Sequence, residues 1–425
     1  MRNLYVTVFL GLLFGGAAVG QSFNFVVLEV DADTANIPVN EVISGGPPPQ
    51  GIPALGFTGS FNGRVPPTPA PKFIAAEAAS AWLEPQEPVL AFGMNGEAKA
   101  YPLQILMWHE IANDVVGGVP VAVTFCPLCN SAFAYDRRVP LTQAQLEAVR
   151  AKNPNAPLVE PDAAYLEAYA DEVGEEAAAQ VVAALEVTFG TSGMLFNSNL
   201  VMFDSATSTL WAQLAAEGNV GTLTGVKLLR YPVQIVSFAE FREAFPEGVV
   251  LSRETGFSRR YGQNPYVGYD RVDQPPFLFS GPTDGRLPPK LRVVSLELGG
   301  EPVAYPFSVL EEVRVVNDAV GGVPIVVMWR EGTTSALDRS SISGSKDVGA
   351  VAVFRRELDG RVLTFEWNGE AFVDQQTGST WNLFGAATSG PLEGQRLEPV
   401  IHDNTLWFAW AAFKPETRVY GISTE

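Results

Sequence analysis

The strongest constraint on the fold of this chain is an internal repeat. The segment YPLQILMWHEIANDVVGGVP begins at Tyr101 and the segment YPFSVLEEVRVVNDAVGGVP begins at Tyr305, an offset of 204 residues. A second match places DSATSTLW from Asp204 opposite DQQTGSTW from Asp374, an offset of 170 residues. Identical residues at fixed spacing indicate a duplication in which the first copy is 34 residues longer in its middle.

The repeated segments predict the same elements in each copy. Alternating runs at 88–100 and 291–304, with a central Asn-Gly or Gly-Gly, are typical of β-hairpins. The prolines that follow, Pro102 and Pro306, predict a helix of about three turns that ends before Gly-Gly. Runs at 119–125 and 323–329 are rich in β-branched residues and predict buried strands. We therefore expect a β-rich α+β protein in which two homologous copies of one domain pack together.

The copies and the segments around them give the expected domain boundaries. They are a signal peptide at 1–20, a Pro/Gly-rich lead-in at 21–72, a first copy at 73–262, a connector at 263–289 and a second, degenerate copy at 290–425. The extra length of the first copy lies at 139–185. This acidic insertion predicts solvated helices, with Asp162 as an N-cap.

The first segment, Met1–Gly20, predicts export. Arg2 precedes an apolar run, and small residues then lead to Gly20, which is the order found in secretory signal peptides. The apolar run is short for a membrane span, and no other stretch reaches the ~18 apolar residues that a spanning helix needs. We therefore expect a periplasmic or extracellular protein with no stable membrane span once the signal peptide is cleaved.

The composition of the chain excludes several classes of function. The chain has 425 residues and a formal net charge of −19 without a basic stripe, which argues against binding to nucleic acid or to an anionic membrane. It contains only two cysteines and two histidines, which excludes a disulfide-rich scaffold and any site of four cysteines from one chain. The sequence identifies neither a small-molecule substrate nor a protein partner.

Both cysteines and one histidine lie in the first copy and are absent from the second. Cys126 and Cys129 follow the predicted buried strand in FCPLCN, and His109 lies on the predicted helix before it. The equivalent positions 204 residues later are Arg330, Thr333 and Val313. The joint loss of three ligand-type residues is expected if they act as a unit and the second copy is structural.

One interpretation is a metal site formed by His109, Cys126 and Cys129. Two thiolates three residues apart can bind one ion in a tight turn, and the residue after the second cysteine then adopts positive φ, which suits Asn130. A His-Cys-Cys set with one open position is suited to zinc or copper.

Other groups can fill the remaining position of this site. Glu110, Asp114 or a water are the candidates for a fourth ligand or a general base, so Glu110 and Asp114 are the candidate catalytic residues. The other histidine, His402, lies in the second copy and reaches the site only if the copies pack face to face. The sequence thus predicts an exported protein with a metal site of enzymatic or metal-handling role.

Two alternatives use the cysteines alone. Cys126 and Cys129 can form a thiol–disulfide redox pair, although the following sequence alternates like a strand and offers no helix dipole to lower a thiol pKa. They can instead form a structural disulfide in an oxidising compartment, within a binding module that is not an enzyme. The zinc deaminase pattern does not match, because His109 and Glu110 are adjacent and no proline precedes Cys126.

The residues around the cysteines also carry a family resemblance. WHEIANDVVGGVPVAVTFCPLCNSAFAYDRR, SGMLFNSNLVMFD, the ETGFSRRYGQNPYVGYD connector and the late WFAWAAFKPETRVY resemble the domain-of-unknown-function family 3179, over roughly Ile43 to Tyr420. The resemblance implies an uncharacterised exported protein of bacteria or archaea. It also implies that the histidine and both cysteines belong to the family pattern. The insertion at 139–185 departs from that pattern, since it replaces a tight turn.

Overall fold

The computed structural model describes residues 28–422 and the backbone of Asn3–Tyr5, so most of the predicted signal peptide lies outside the described residues. Strands up to the connector are β1 Asn3–Tyr5, β2 Glu29–Asp31, β3 Ile43–Ser44, β4 Phe73–Ala75, β5 Pro88–Met94, β6 Glu97–Pro102, β7 Ile111–Val116, β8 Val119–Cys126, β9 Ser131–Asp136, β10 Arg138–Leu141, β11 Leu158–Val159, β12 Ala183–Glu186, β13 Phe189–Phe196, β14 Asn199–Asp204, β15 Leu210–Ala212, β16 Glu217–Val220, β17 Arg230–Tyr231, β18 Gln234–Ser237 and β19 Val249–Leu251.

The strands after the connector and the helices complete the described elements. These strands are β20 Arg292–Leu298, β21 Glu301–Pro306, β22 Val315–Val320, β23 Val323–Arg330, β24 Ala350–Arg355, β25 Glu357–Leu358, β26 Arg361–Val362, β27 Phe365–Trp367, β28 Phe372–Asp374, β29 Thr380–Trp381, β30 Ala387–Ser389, β31 Asp403–Leu406 and β32 Arg418–Val419. The α-helices are α1 Ala76–Ala79, α2 Leu103–Leu106, α3 Gln143–Lys152, α4 Ala163–Val173, α5 Glu175–Ala178, α6 Phe238–Ala244, α7 Phe307–Val313 and α8 Trp407–Phe413. The protein is therefore β-rich α+β, as expected.

Two compact units divide the chain. Unit 1 comprises the residues up to Ala70 together with His109–Asn113 and Tyr135–Leu229, and unit 2 comprises Pro71–Trp108, Asp114–Ala134 and the residues from Arg230 onward. The units are defined by contacts within the folded chain and do not coincide with the sequence copies, since unit 2 contains segments of both. The domain boundaries given above remain a prediction from the sequence.

Unit 1 contains a five-stranded sheet of order β16-β15-β14-β13-β3 and a three-stranded sheet of order β10-β12-β11. Aromatic side chains pack its core edge to face, with ring centroids 5.2 Å apart for Phe57 and Phe203 and 5.9 Å apart for Phe189 and Trp211. Its helices α3, α4 and α5 occupy the insertion, and the Asp162 side chain accepts a hydrogen bond from the Tyr165 N–H, which confirms the predicted N-cap.

Unit 2 contains two sheets with the same strand arrangement. Their orders are β18-β5-β6-β19-β4 and β31-β20-β21-β32, and in each the strand after a short helix joins the sheet in parallel, as β19 beside β6 and β32 beside β21. A further sheet has the order β22-β23-β24, and a sheet of order β17-β9-β8-β7 lies largely within this unit. Side chains from both sequence copies share one core cluster, for example Ala91 and Val236 with Met328 and Ala352.

The tight hairpin turns are formed by pairs of residues with positive φ. The turn between β5 and β6 has positive φ at Asn95 and Gly96, and the turn between β7 and β8 has positive φ at Gly117 and Gly118, the backbone of two-residue hairpins. A Cβ on Gly117 would lie 2.3 Å from the Met94 carbonyl oxygen, so only glycine fits there. The pair Gly321 and Gly322 has the same positive φ values in the later segment.

The predicted three-turn helix before Gly-Gly is wrong. The structure has only a single turn, α2, after Pro102, and β7 then runs up to the glycine pair. In the second segment α7 ends at Val313 and β22 precedes the glycines. The reason is that the β-branched residues of these segments pair with the next strand of the hairpin, and this pairing overrides helical periodicity.

Equivalent side chains make equivalent hydrogen bonds in the two repeated segments. The Tyr101 hydroxyl donates to Asp114 at 2.7 Å, and the Tyr305 hydroxyl donates to Asp318 at 2.8 Å. The indole N–H of Trp211 donates to Asp204 at 3.1 Å, just as that of Trp381 donates to Asp374 at 3.0 Å. The identical residues of the repeat are therefore those that join neighbouring strands and turns through buried polar contacts.

The equivalent residues Asn113 and Asn317 both bridge to a neighbouring strand, but they differ in burial and therefore provide a matched test. Asn113 is 4 % exposed; its side-chain amide donates to the Leu55 and Phe189 carbonyls and accepts from the Phe189 N–H. Asn317 is exposed; its side-chain amide donates to the Phe365 carbonyl and accepts from the Phe365 N–H. Asn113→Ala leaves buried backbone groups without partners and should cost about 2–3 kcal/mol locally. Asn317→Ala should cost less, because water can replace the amide.

Native-state hydrogen exchange, read by mass spectrometry, measures both effects at the amide that loses its acceptor. We expect a large loss of protection at Phe189 in Asn113→Ala and a small loss at Phe365 in Asn317→Ala. Equal losses at the two amides would contradict the assignment of the stability difference to burial.

Candidate functional site

The cysteines flank a tight turn between two buried strands of unit 2. Cys126 ends β8, and the Cys129 N–H donates to its carbonyl at 3.2 Å, closing the turn before β9 begins at Ser131. Asn130 has φ 53°, which confirms the positive φ predicted for the residue after the second cysteine. Within residues 28–422 neither cysteine is in a disulfide, and the two residues are 1 % and 0 % exposed. The turn therefore carries two thiols within four consecutive residues, away from bulk water.

Strand β31 holds this turn in place. The Cys129 carbonyl accepts from the Leu406 N–H at 2.8 Å and from the Thr405 hydroxyl at 3.0 Å. The Asn130 amide donates to the Asn404 carbonyl, and the next strand is fixed by the Ala132 N–H, which donates to Asp403 at 2.8 Å. A segment 270 or so residues away in sequence thus fixes the backbone on which the thiols lie.

Two buried titratable residues lie at the start of this strand. The sequence did not single out Asp403, and it mentioned His402 only as a distant candidate ligand. Asp403 is 2 % exposed, its second carboxylate oxygen has no partner among the described residues, and burial raises its pKa well above the ordinary value. His402 donates from Nδ1 to the Val400 carbonyl at 2.7 Å, and burial lowers its pKa. Burial therefore disfavours the charged form of both side chains. No sequence motif marks Asp403, since only the fold brings it beside the cysteine turn.

The predicted ligand His109 lies in unit 1 and in a turn, so its expected position on a helix is wrong. Helix α2 ends at Leu106, and His109 falls in the turn that leads to β7. The ring is 0 % exposed, and Nδ1 lies 2.7 Å from the Pro53 carbonyl. A carbonyl can only accept, so Nδ1 carries the proton and Nε2 is the ring's acceptor nitrogen. That tautomer is the one found in histidine ligands oriented by a backbone carbonyl.

Glu110, the first candidate for acid–base chemistry, is a buried carboxyl in unit 1. Its backbone has φ 58°, and the side chain is 9 % exposed. Desolvation raises its pKa from 4.5 to about 8, so the group is protonated at neutral pH. In this state Glu110 can donate a proton, whereas the general-base or ligand role predicted from the sequence requires the proton to leave first.

Asp114, the second candidate, belongs to a structural contact on β7 in unit 2. Its carboxylate accepts from the Tyr101 hydroxyl at 2.7 Å and from Lys99 Nζ at 3.0 Å. The equivalent Asp318 accepts from Tyr305 and from Arg418 at 3.1 Å in a segment that has no cysteine. The tyrosine–aspartate contact is thus independent of the cysteine turn, and the catalytic role of Asp114 remains a prediction.

The equivalents of the three predicted ligands have ordinary surroundings. Arg330 is an exposed residue at the end of β23, Val313 is 46 % exposed at the end of α7, and Thr333 is buried in the loop after β23. Within residues 28–422, no group of three or more His, Cys, Asp and Glu side chains is arranged to hold a metal ion.

The fold and the site together define a β-rich α+β protein with a buried Cys-x-x-Cys turn at the end of a strand. The chain belongs to the DUF3179 family, described as a protein of unknown function, whose profile matches residues 62–417. This match confirms the resemblance seen in the sequence. Comparison with curated proteins and with solved structures finds no match. In the part of the chain that the structure describes, helices are too short or too polar to cross a membrane.

The buried carboxyl of Glu110 makes stability depend on pH. Because its pKa is about 8 in the folded protein and 4.5 in the unfolded chain, the stability it contributes is complete below about pH 4.5 and is lost as the pH rises to about 8. Glu110→Gln should remove this dependence, and the two proteins should differ by up to about 1.4 kcal/mol for each pH unit in that window.

Urea unfolding at several pH values between 5 and 9, followed by tryptophan fluorescence, measures the difference. The matched control is Glu160→Gln, an exposed glutamate in the same unit, which should keep the pH profile of the unmodified protein. If Glu110→Gln also keeps that profile, the carboxyl is not desolvated as described.

Proposed function

We propose that this chain is an exported metal-handling protein that binds copper(I) through Cys126 and Cys129. The observation that supports the proposal is the conformation of the turn: two buried cysteines flank it, and Asn130 has the positive φ that a metal-binding Cys-x-x-Cys turn needs. Export is inferred from Met1–Gly20, whose charged start, apolar middle and small-residue end match a secretory signal.

Copper is preferred to zinc because of the number and softness of the donors. Thiolates are soft ligands that select monovalent copper, which is satisfied by few donors. Structural zinc is almost always bound by four protein ligands, so it would need two more than the turn supplies. His109 was predicted as a third ligand from the sequence, and its participation is a separate arm of the test below.

The second copy is proposed to be a structural partner of the first. It retains the Tyr–Asp, Asn and Asp–Trp contacts of the repeat, while Arg330 and Thr333 replace the two cysteines. Its strand β31 supplies the hydrogen bonds that hold the Cys129 carbonyl. The duplication would then provide the support for one metal-binding turn.

Copper(I) titration under anaerobic conditions, in competition with a chromophoric copper(I) chelator, tests the proposal. The full mature chain should bind one copper per molecule, and Cys126→Ser and Cys129→Ser should each abolish binding, since one thiolate remains. Because two thiols must lose their protons, affinity should fall by about a hundredfold for each pH unit below the thiol pKa.

Further measurements distinguish copper binding by two thiolates from a third ligand, from zinc binding and from a disulfide. His109→Ala should leave copper binding unchanged if two thiolates suffice, and should weaken it if the histidine is a ligand. Zinc bound more tightly than copper would overturn the choice of metal. Failure to bind either metal, with both thiols titratable in the unfolded chain, would overturn metal binding altogether. Thiols that are missing until a reductant is added would instead support the disulfide alternatives.

Two substitutions at Asn130 test the conformation of the turn. Asn130→Gly and Asn130→Ala both remove the amide that donates to the Asn404 carbonyl, but only glycine tolerates φ 53° without strain. Asn130→Ala should therefore bind copper(I) about five- to tenfold more weakly than Asn130→Gly, because positive φ costs alanine about 1 kcal/mol. Equal affinities in the same chelator competition would show that the turn conformation does not matter for binding.

A further inference from the structure

The cysteine turn, Cys126–Asn130, is buried along its whole length. Its two cysteines and Asn130 are at most 2 % exposed, Leu128 is 8 % exposed, and Pro127 is also buried. The strands that lead into and out of the turn continue this burial, since the last six residues of β8 and all of β9 are buried. No solute can therefore bring a donor atom to either sulfur while the chain keeps this conformation.

The turn is hydrogen-bonded to a strand that is itself well anchored. β31 contacts the turn and the start of β9 through four hydrogen bonds, two of which end at the Cys129 carbonyl. On its other edge β31 pairs with β20 over four residues, and it continues into α8, where Trp407–Ala411 are buried. Because β31 is held on its other side, the turn has to detach from β31 if the two are to separate.

This burial decides how a copper(I) ion bound by the two thiolates is exchanged. A metal passes directly from one protein to another only if a ligand of the acceptor binds the ion while the donor thiolates still hold it. An ion between the sulfurs of Cys126 and Cys129 is shielded from such an attack, because the sulfurs themselves are buried. Exchange then has to wait for a local opening of the chain, and its rate depends on how often and for how long the turn is open.

We propose that this chain holds copper(I) as a resident ion rather than passing it directly to a partner, and that the ion exchanges only when the cysteine turn separates from β31. The inference rests on the copper binding proposed above and adds how the ion enters and leaves. It makes β31 the element that controls access to the thiols.

The Thr405 hydroxyl is the contact of β31 best suited to a test. It belongs to a residue that is 0 % exposed, and it donates to the Cys129 carbonyl at 3.0 Å. Thr405→Val keeps the shape of the side chain and removes this donor, while the carbonyl still accepts from the Leu406 N–H. The substitution touches no metal ligand, so it changes the opening of the turn and leaves the donor atoms as they are.

Alkylation of the reduced, copper-free full mature chain by N-ethylmaleimide, followed by mass spectrometry, measures the opening without any metal. In the folded chain the two thiols should react at least about a hundredfold more slowly than in urea. Thr405→Val should speed the reaction about fivefold, because one hydrogen bond fewer opposes the opening. Thiols that react in the folded chain within tenfold of their rate in urea would overturn the proposal.

Removal of copper(I) from the loaded chain by an excess of a chromophoric chelator gives the second rate. Thr405→Val should speed removal by the same factor as alkylation, because both reactions need the same opening. Thr405→Ser keeps the hydroxyl and should restore both rates. The matched control is Thr388→Val, since Thr388 is an exposed threonine on β30, and it should leave both rates unchanged.

The outcomes separate this inference from the copper proposal on which it rests. If Thr405→Val changes neither rate, β31 does not control access, and the inference is wrong even if copper binds. If alkylation is faster but copper removal is unchanged, the ion leaves by another route, which also overturns it. A chain that binds no copper overturns both proposals, and its alkylation rates then show separately whether β31 closes the turn.

Discussion

A buried hydrogen bond between a tyrosine and an aspartate on neighbouring elements organises each of the two repeated segments. Tyr101 and Tyr305 are both 0 % exposed, and each ends a hairpin strand and donates to an aspartate on the strand after the short helix. A tyrosine hydroxyl buried without an acceptor would be costly, so this contact fixes where the second strand must lie. The following Gly-Gly turn, the buried strand and, in the first copy, the cysteine turn all depend on that placement.

This dependence explains which parts of the repeat are identical and which differ. The Tyr–Asp pair, the glycines and the Asp–Trp turn determine backbone positions, and each tolerates little change. Cys126 and Cys129 lie at the end of the strand that these contacts place, and their equivalents Arg330 and Thr333 lie at the end of the corresponding strand β23 and in the loop after it. The residues at the end of the strand can therefore differ without loss of the fold.

Local features were predictable from the sequence, and long-range ones were not. The hairpins, the buried strands, the Asp162 N-cap and the positive φ of Asn130 follow from turn and cap chemistry within a few residues, and all of them are confirmed. The helix expected to carry His109 is wrong because strand pairing prevails over local periodicity. Asp403 was missed because it contacts the Ala132 N–H, over two hundred positions away in sequence, and only the folded chain brings the two together.

The two repeated segments differ most at the end of the buried strand. The first has thiols there, at Cys126 and Cys129, whereas the second has Arg330 and Thr333. Strand β31, which lies late in the chain, accepts from the Ala132 N–H through Asp403 and donates to the Cys129 carbonyl through Thr405 and Leu406. The first segment therefore supplies the soft donors, and a distant strand supplies the hydrogen bonds that hold their turn in place.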